Sequence, residues 1–159
     1  MKIREIMTSN TALCGPHTNA AAIAEILWSR DCGALPVVDE RGTVLGIVTD
    51  RDLTIALGTR DRRPSSLRAD EVMTTDVATC NPDSDVREAL ELMTARKVRR
   101  LPIVDRAGHL EGMLSIYDIA REATTAGSKI GMALVMKAMT RLNDRSAPKE
   151  SPELVSLRA

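Results

Sequence analysis

Residues 35–52, LPVVDERGTVLGIVTDRD, decide the fold, because residues 101–118, LPIVDRAGHLEGMLSIYD, repeat their pattern. The two stretches align without a gap when the chain is shifted by 66 residues (101 − 35 = 66). The same shift pairs identical residues upstream: Met7-Thr8 with Met73-Thr74, Cys14 with Cys80, and Pro16 with Pro82. The chain therefore contains two copies of one structural unit.

Within each copy, the sequence predicts the order strand, helix, strand, strand, helix. Short apolar runs between Gly and Pro indicate the strands, and apolar residues at three- and four-residue spacing indicate the helices. The first copy is predicted to contain a strand at Thr11–Cys14, a helix at Ala20–Arg30 capped by Thr18 or Asn19, strands at Leu35–Val38 and Val44–Val48, and a helix after Thr49. The second is predicted to contain a strand at Val77–Cys80, a helix at Val86–Arg96 capped by Asp85, strands at Leu101–Val104 and Leu110–Leu114, and a helix after Ser115.

The predicted fold class is α/β (α+β), with two tandem β-α-β-β-α repeats packed about a pseudo-two-fold axis. The repeats are assigned to residues 1–58 and 67–126, with a polar linker at 59–66. A helix within 127–143 is predicted either to cover the repeats or to pair with a second subunit. The polar tail, 144–159, is predicted to be disordered. One repeat of about 56 residues is marginal alone, so the two are expected to share a core.

The amino-acid composition argues against nucleic acid and membranes as binding partners. Lys plus Arg and Asp plus Glu both number 22, and this zero net charge argues against a nucleic-acid-binding protein. Residues 1–7 lack the apolar region of a signal peptide, and no apolar run approaches the ~18 residues of a spanning helix. We therefore expect a cytoplasmic protein that does not enter a membrane. Trp28 and Tyr117 are the only aromatic residues, so an aliphatic core is predicted.

The Leu-Pro that opens the second strand and the Gly-apolar-apolar-Thr/Ser-x-x-Asp that closes the third resemble the CBS (cystathionine-β-synthase) domain. The resemblance covers about residues 2–123, and the chain is similar to stand-alone two-CBS bacterial proteins, including the hypoxic-response type. It implies a Bateman module, in which two clefts between the repeats bind AMP, ADP, ATP, NAD or S-adenosylmethionine. It also implies that the ligand changes the conformation of the module and of a protein partner in trans.

Two hydroxyl residues and two carboxylates are the central candidate site residues. Thr49 and Ser115 each precede a helix, whose free N–H groups attract phosphate. Asp52 and Asp118 follow within one turn, and the resemblance implies that this Asp accepts hydrogen bonds from the cis-diol of a ribose. Thr-x-x-Asp and Ser-x-x-Asp are also capping boxes, which need no ligand, so capping, binding or both remain open.

The two copies differ in the residues that surround these motifs. Arg51 stands where the second copy has Tyr117, and Arg99-Arg100 stand where the first copy has Gly33-Ala34. Arg51 is predicted to contact a phosphate, and Tyr117 to stack on a ligand or donate one hydrogen bond. Basic residues at the Arg99-Arg100 position face nucleotide phosphates in related regulatory subunits, although a solvated basic patch is an equal alternative. The sequence therefore predicts two clefts of unequal affinity.

The predicted function is a non-enzymatic sensor, expected to be a homodimer, with no obligatory cofactor and with an adenine nucleotide or S-adenosylmethionine as regulatory ligand. The alternative is a ligand-free structural or dimerisation module. No catalytic residue is predicted, because the chain has no Walker pattern and no Gly-x-Ser-x-Gly. No metal site is predicted either, since too few Cys and His residues cluster for zinc. The cysteines, which are Cys14, Cys32 and Cys80, are expected to stay reduced.

Overall fold

A computed structural model describes residues 1–144; the tail predicted to be disordered lies outside this range apart from Asp144. Each repeat contributes two strands and at least two helices, which confirms the predicted mixed fold class. The elements are α1 Ala20–Ser29, β1 Ala34–Val38, β2 Val44–Thr49, α2 Asp50–Thr59, α3 Ala69–Val72, α4 Val86–Arg96, β3 Arg100–Val104, β4 Leu110–Ser115, α5 Ile116–Ala123 and α6 Met132–Asn143.

Two antiparallel hairpins, β1–β2 and β3–β4, form the two sheets. Their turns contact each other: Val44 N–H donates to the Gly108 carbonyl (3.1 Å) and Leu110 N–H donates to the Gly42 carbonyl (2.9 Å). Gly42 and Gly108 have φ values of 83° and 88°, a left-handed conformation that favours glycine. The exchanged bonds tie the two repeats together at equivalent positions, as a pseudo-two-fold relation requires.

The predicted first strand of each repeat is reduced to a single bridge, and prolines explain why. Cys14 N–H donates to the Pro36 carbonyl (3.0 Å), and the Cys14 carbonyl accepts from Val38 N–H (2.9 Å). Continuing this parallel ladder in either direction would need N–H groups from Pro36 and Pro16, which have none. The second repeat has the same arrangement around Cys80, with Pro82, Pro102 and Val104.

The segments that begin the two repeats, residues 2–8 and 68–74, each pack into the core of the other repeat. Ile3 is fully buried in the core of the second repeat, beside residues of α4, β3 and β4. Ala69 is fully buried in the core of the first repeat, beside residues of α1, β1 and β2. We call these two stretches the leading segments. Each half of the sequence therefore completes the core of the other half.

The leading segments also pair with the third strand of the opposite repeat. Thr8 and Met113 exchange both backbone hydrogen bonds at 2.9 Å, and Thr74 and Ile47 exchange theirs at 2.9 and 3.0 Å. The exchange is thus fixed by backbone pairing as well as by apolar burial.

Two glycines of the shared motif permit this close approach. A Cβ on Gly112 would lie 2.6 Å from the Thr8 carbonyl oxygen, and one on Gly46 would lie 2.5 Å from Met73 Sδ and 2.9 Å from the Thr74 carbonyl oxygen. Real Cβ atoms do not come so close, so a side chain at either position would push the leading segment away. The glycine that opens each Gly-apolar-apolar-Thr/Ser-x-x-Asp motif therefore has a packing role.

We expect Gly112→Ala to lower the free energy of unfolding by about 1–3 kcal/mol, because the added methyl group meets backbone that cannot rotate away. Thermal unfolding followed by circular dichroism measures the effect. Gly58→Ala is the matched control, since nothing lies within 4 Å of a Cβ at this α2 position and Ala is the better helix former. Equal melting temperatures for the two variants would contradict this account of Gly112.

The C-terminal helix α6 packs against α4 and α5 of the second repeat. It begins at Met132, later than the predicted Ser128, and it buries Val135 and Ala138. The equivalent helices of the first repeat, α1 and α2, carry Trp28 and Ile55, which are 88% and 52% exposed. The two repeats therefore have the same arrangement of helices and strands but different outer surfaces.

Candidate functional site

The start of α2 is a complete capping box. Thr49 N–H and Thr49 Oγ1–H both donate to Asp52 Oδ2, at 2.9 and 2.7 Å, and Asp52 N–H donates to Thr49 Oγ1 at 3.2 Å. The predicted capping role is therefore present. It occupies only one carboxylate oxygen: within residues 1–144, Asp52 Oδ1 accepts no hydrogen bond.

The start of α5 repeats the geometry. Ser115 N–H and Oγ–H donate to Asp118 Oδ2, at 2.9 and 2.6 Å, and Asp118 N–H donates to Ser115 Oγ at 3.2 Å. The second oxygen differs from that of Asp52, because Arg121 Nη2 donates to Asp118 Oδ1 at 2.9 Å. The two helix starts thus have the same cap but offer different acceptors to a ligand.

Arg100 extends from the second repeat to the start of α2 in the first. A methyl group placed on Gly33 would lie 3.4 Å from Arg100 Nη2 and 3.2 Å from Asp50 Oδ2. Burial raises the pKa of the nearby Cys32 thiol, and the Arg100 charge offsets part of this rise. A guanidinium of the second repeat and a carboxylate of the first therefore both lie beside Gly33, next to the start of α2, without forming an ion pair within 4.0 Å.

Arg99 points elsewhere, although the sequence grouped it with Arg100. Its guanidinium donates to Asn143 Oδ1 at the end of α6. Together with Tyr117, Met139 and Leu142 it lines a small cavity of about 110 Å³. The two arginines enter β3 as successive residues, whose side chains point to opposite sides, so they do not share the one phosphate site that the sequence predicted.

Arg51 and Tyr117, the remaining predicted site residues, lie in the first turns of α2 and α5. Both are exposed, Tyr117 by 60%. The Arg51 side chain makes no hydrogen bond or ion pair within the described range, so it is free to meet a ligand. Thr49, Arg51 and Asp52 therefore lie at the start of α2, which Arg100 approaches beside Gly33, and Ser115, Tyr117 and Asp118 lie at the start of α5.

Sequence reasoning missed Asp50 and Arg121. Asp50 follows Thr49 directly, and its Oδ1 accepts the Arg51 N–H at 2.7 Å. Arg121 stands three residues after Asp118, a spacing that puts the two side chains on one helix face and that was visible in the sequence.

A larger cavity, about 280 Å³, lies away from both helix starts, between residues 1–5 and the turn that joins α5 to α6. Its lining mixes Lys2 and Lys129 with Glu5 and Glu122, and none of the predicted site residues borders it. Among residues 1–144, no group of three or more His, Cys, Asp or Glu side chains is placed to hold a metal ion. No helix in that range is long and apolar enough to cross a membrane.

The arrangement of paired hairpins, each followed by a capped helix, is shared with a known family. Residues 3–59 and 69–124 match the CBS domain. The chain belongs to the CBS domain family. It carries a CBS pair, as the resemblance predicted. The CBS domain-containing protein YhcV of Bacillus subtilis is 33% identical over 74% of this chain and 82% of its own length. An uncharacterized Methanopyrus kandleri protein is 32% identical over 75% of this chain, which spans only 61% of that relative.

Solved structures of CBS pairs superpose on this chain. Hypoxic Response Protein I, crystallised with two zinc ions, has a TM-score of 0.70 at 28% identity and covers 76% of this chain and 98% of its own. The CBS pair of MJ0100, in complex with 5′-methylthioadenosine and S-adenosylmethionine, has a TM-score of 0.68 at 26% identity, covering 76% and 94%. CBSX2 in complex with AMP, a CBS pair from Arabidopsis thaliana, has a TM-score of 0.68 at 27% identity, covering 77% and 95%.

Proposed function

We propose that this CBS pair is a non-enzymatic regulatory module that binds an adenosine-containing ligand in clefts between its repeats. The observation that carries the proposal is the arrangement of the two Asp52 carboxylate oxygens. Oδ2 is held by the Thr49 cap, Oδ1 is open within residues 1–144, and Arg100 of the other repeat lies at the same helix start. A fixed carboxylate beside a cation offers an acceptor for hydroxyls and a positive charge for a phosphate. The first N–H groups of α2, which the sequence predicted to be free, already donate to Gly33, Asp50 and Thr49.

The relatives support the adenosine part of this proposal. MJ0100 is described with two adenosine derivatives, neither of which carries a phosphate, and CBSX2 with AMP. What these ligands share is a ribose attached to adenine. On the present chain, the hydroxyl acceptor that suits this shared ribose is Asp52 or Asp118, whereas Arg51 and Arg100 suit a phosphate.

Binding is proposed to act on a protein partner through the interlocked repeats. Because each leading segment belongs to the core of the other repeat, a ligand that moves one repeat against the other also strains the Thr8–Met113 and Thr74–Ile47 pairs. A change at the helix starts is thereby transmitted to the surface of both halves. We also propose that this module works in the cytoplasm.

A thermal-shift panel tests the function. AMP, ADP, ATP, NAD and S-adenosylmethionine at millimolar concentration should raise the melting temperature in proportion to RT ln(1 + [L]/Kd), with at least one compound giving a clear rise. Inorganic phosphate and adenine are controls that carry only one part of the ligand, and they should give little shift. No rise in melting temperature with any of the five compounds would contradict the sensor hypothesis.

A structural dimerisation module is the second candidate, and the uncovered α1–α2 face favours it. Trp28 and Ile55 are exposed there, whereas α6 covers the equivalent face of the second repeat. We propose that a second copy of the chain packs on this face to form a homodimer. Light scattering of Trp28→Asp tests this interface. If the variant is monomeric and still binds nucleotide, dimerisation and ligand binding are independent. If the variant remains a dimer, the α1–α2 face is not the dimer interface.

A further inference from the structure

We propose that Arg121 sets the order in which the two sites fill, so that the ligand binds first at the Thr49–Asp52 start of α2. This inference rests on the proposed function and concerns its regulation. We call the start of α2, with Arg100, the first site, and the start of α5, with Ser115 and Asp118, the second site.

The two sites differ at one carboxylate oxygen. In both sites the cap uses Oδ2, so Oδ1 is the atom that remains for a ribose hydroxyl. In the second site Arg121 Nη2 already donates to Asp118 Oδ1 at 2.9 Å. The residue equivalent to Arg121 in the first repeat is Ile55 (121 − 66 = 55), which has no donor to offer. The free acceptor is therefore found only at the first site within the described chain.

The Arg121 contact competes with a ribose directly. A cis-diol needs acceptor capacity on the carboxylate for two hydroxyls, and the guanidinium takes part of it. The pair lies on one helix at i and i+3, so it forms without any ligand. Asp118 is only 13% exposed, whereas Arg121 is 75% exposed and can swing into solvent. The contact therefore weakens the second site without closing it, since exposed ion pairs contribute little free energy.

A second difference acts in the same direction. Arg100 brings a positive charge to the first site, and its repeat equivalent is Ala34 (100 − 66 = 34), which brings none. The Asp50 carboxylate beside Arg100 reduces this advantage for a ligand with several phosphate charges. The Asp52 oxygen is unaffected, so the order of filling follows from the ribose contact, with the phosphate contact secondary.

The two repeats provide reciprocal variants that test the proposal with AMP as the probe. Asp52→Ala removes the first ribose acceptor and Asp118→Ala the second, so each isolates the other site for calorimetric titration. In the Asp52→Ala background, Arg121→Ile should tighten AMP binding by about two- to fivefold, the range expected for an exposed helical ion pair. In the Asp118→Ala background, Ile55→Arg should weaken it by a similar factor. Arg106→Ile, which removes the same charge from the exposed β3–β4 turn, should change neither value.

The outcomes separate this proposal from the function it rests on. AMP binding by both backgrounds with no change on Arg121→Ile would overturn the role of Arg121 and leave the sensor standing. A gain with Arg106→Ile equal to that with Arg121→Ile would also overturn it, because net charge alone would then explain the effect. No AMP binding by the parent or any variant at millimolar concentration would overturn both.

Discussion

Asp52→Ala should weaken AMP binding at the first site by about tenfold to a hundredfold. Hydrogen bonds to charged acceptors contribute about 1.5–3 kcal/mol each, and a tenfold change in Kd corresponds to about 1.4 kcal/mol. Asp52 also caps α2, so the variant should lose about 1 kcal/mol of stability as well. Isothermal titration calorimetry measures the first effect, and urea unfolding measures the second.

The chain contains the matched control for this experiment. Asp118→Ala removes an equivalent cap on α5, with the same three hydrogen bonds, so it should lose a similar amount of stability. Its effect on overall AMP affinity should be much smaller, because the Asp118 oxygen that faces a ligand is already paired with Arg121. If neither variant weakens binding, capping is the whole role of these residues. If both weaken it equally, the two sites are equivalent and Arg121 sets no order of filling.

Ile3→Ala should destabilise the protein by about 2–5 kcal/mol, the usual range for truncating a buried Ile. Ile3 is 0% exposed and lies in the core of the second repeat, although it is the third residue of the chain. Urea unfolding should be followed by far-ultraviolet circular dichroism, because Trp28 is exposed and would report weakly on the core. Met136→Ala, at a half-exposed position on α6, should change stability by no more than about 0.5 kcal/mol.

Hydrogen exchange shows where the stability is lost. Ile3→Ala should speed amide exchange in β3 and β4 first, whereas Leu67→Ala should act first on β1 and β2, because Leu67 is buried in the other core. An increase confined to β1 and β2 in the Ile3 variant would contradict the exchange of leading segments.

Local pattern was sufficient for much of the fold. The 66-residue repeat located both hairpins, and the caps at Asn19 and Asp85 form as predicted, because a cap depends on groups within a few residues. The shortened first strands were also within reach of the sequence, since Pro16 and Pro36 lack the N–H groups that a longer ladder needs.

Long-range placement was beyond the sequence. Ile3 and Ala69 have the apolar character of core residues, but nothing in their pattern states which repeat they complete. Arg99 and Arg100 are adjacent in sequence, and successive side chains entering a strand point to opposite sides. The groups they reach there, Asn143 at the end of α6 and Gly33 of the first repeat, could not be predicted from local pattern. The sequence therefore predicted which residue types gather at the helix starts, while packing decided which of them meet.

A crystal structure of the protein grown with AMP tests the central claim most directly. The account predicts ribose hydroxyls within hydrogen-bond distance of Asp52 Oδ1 and the phosphate near Arg100, with the α5 site filled less or not at all. AMP bound away from both helix starts, or at α5 with the α2 site empty, would contradict it.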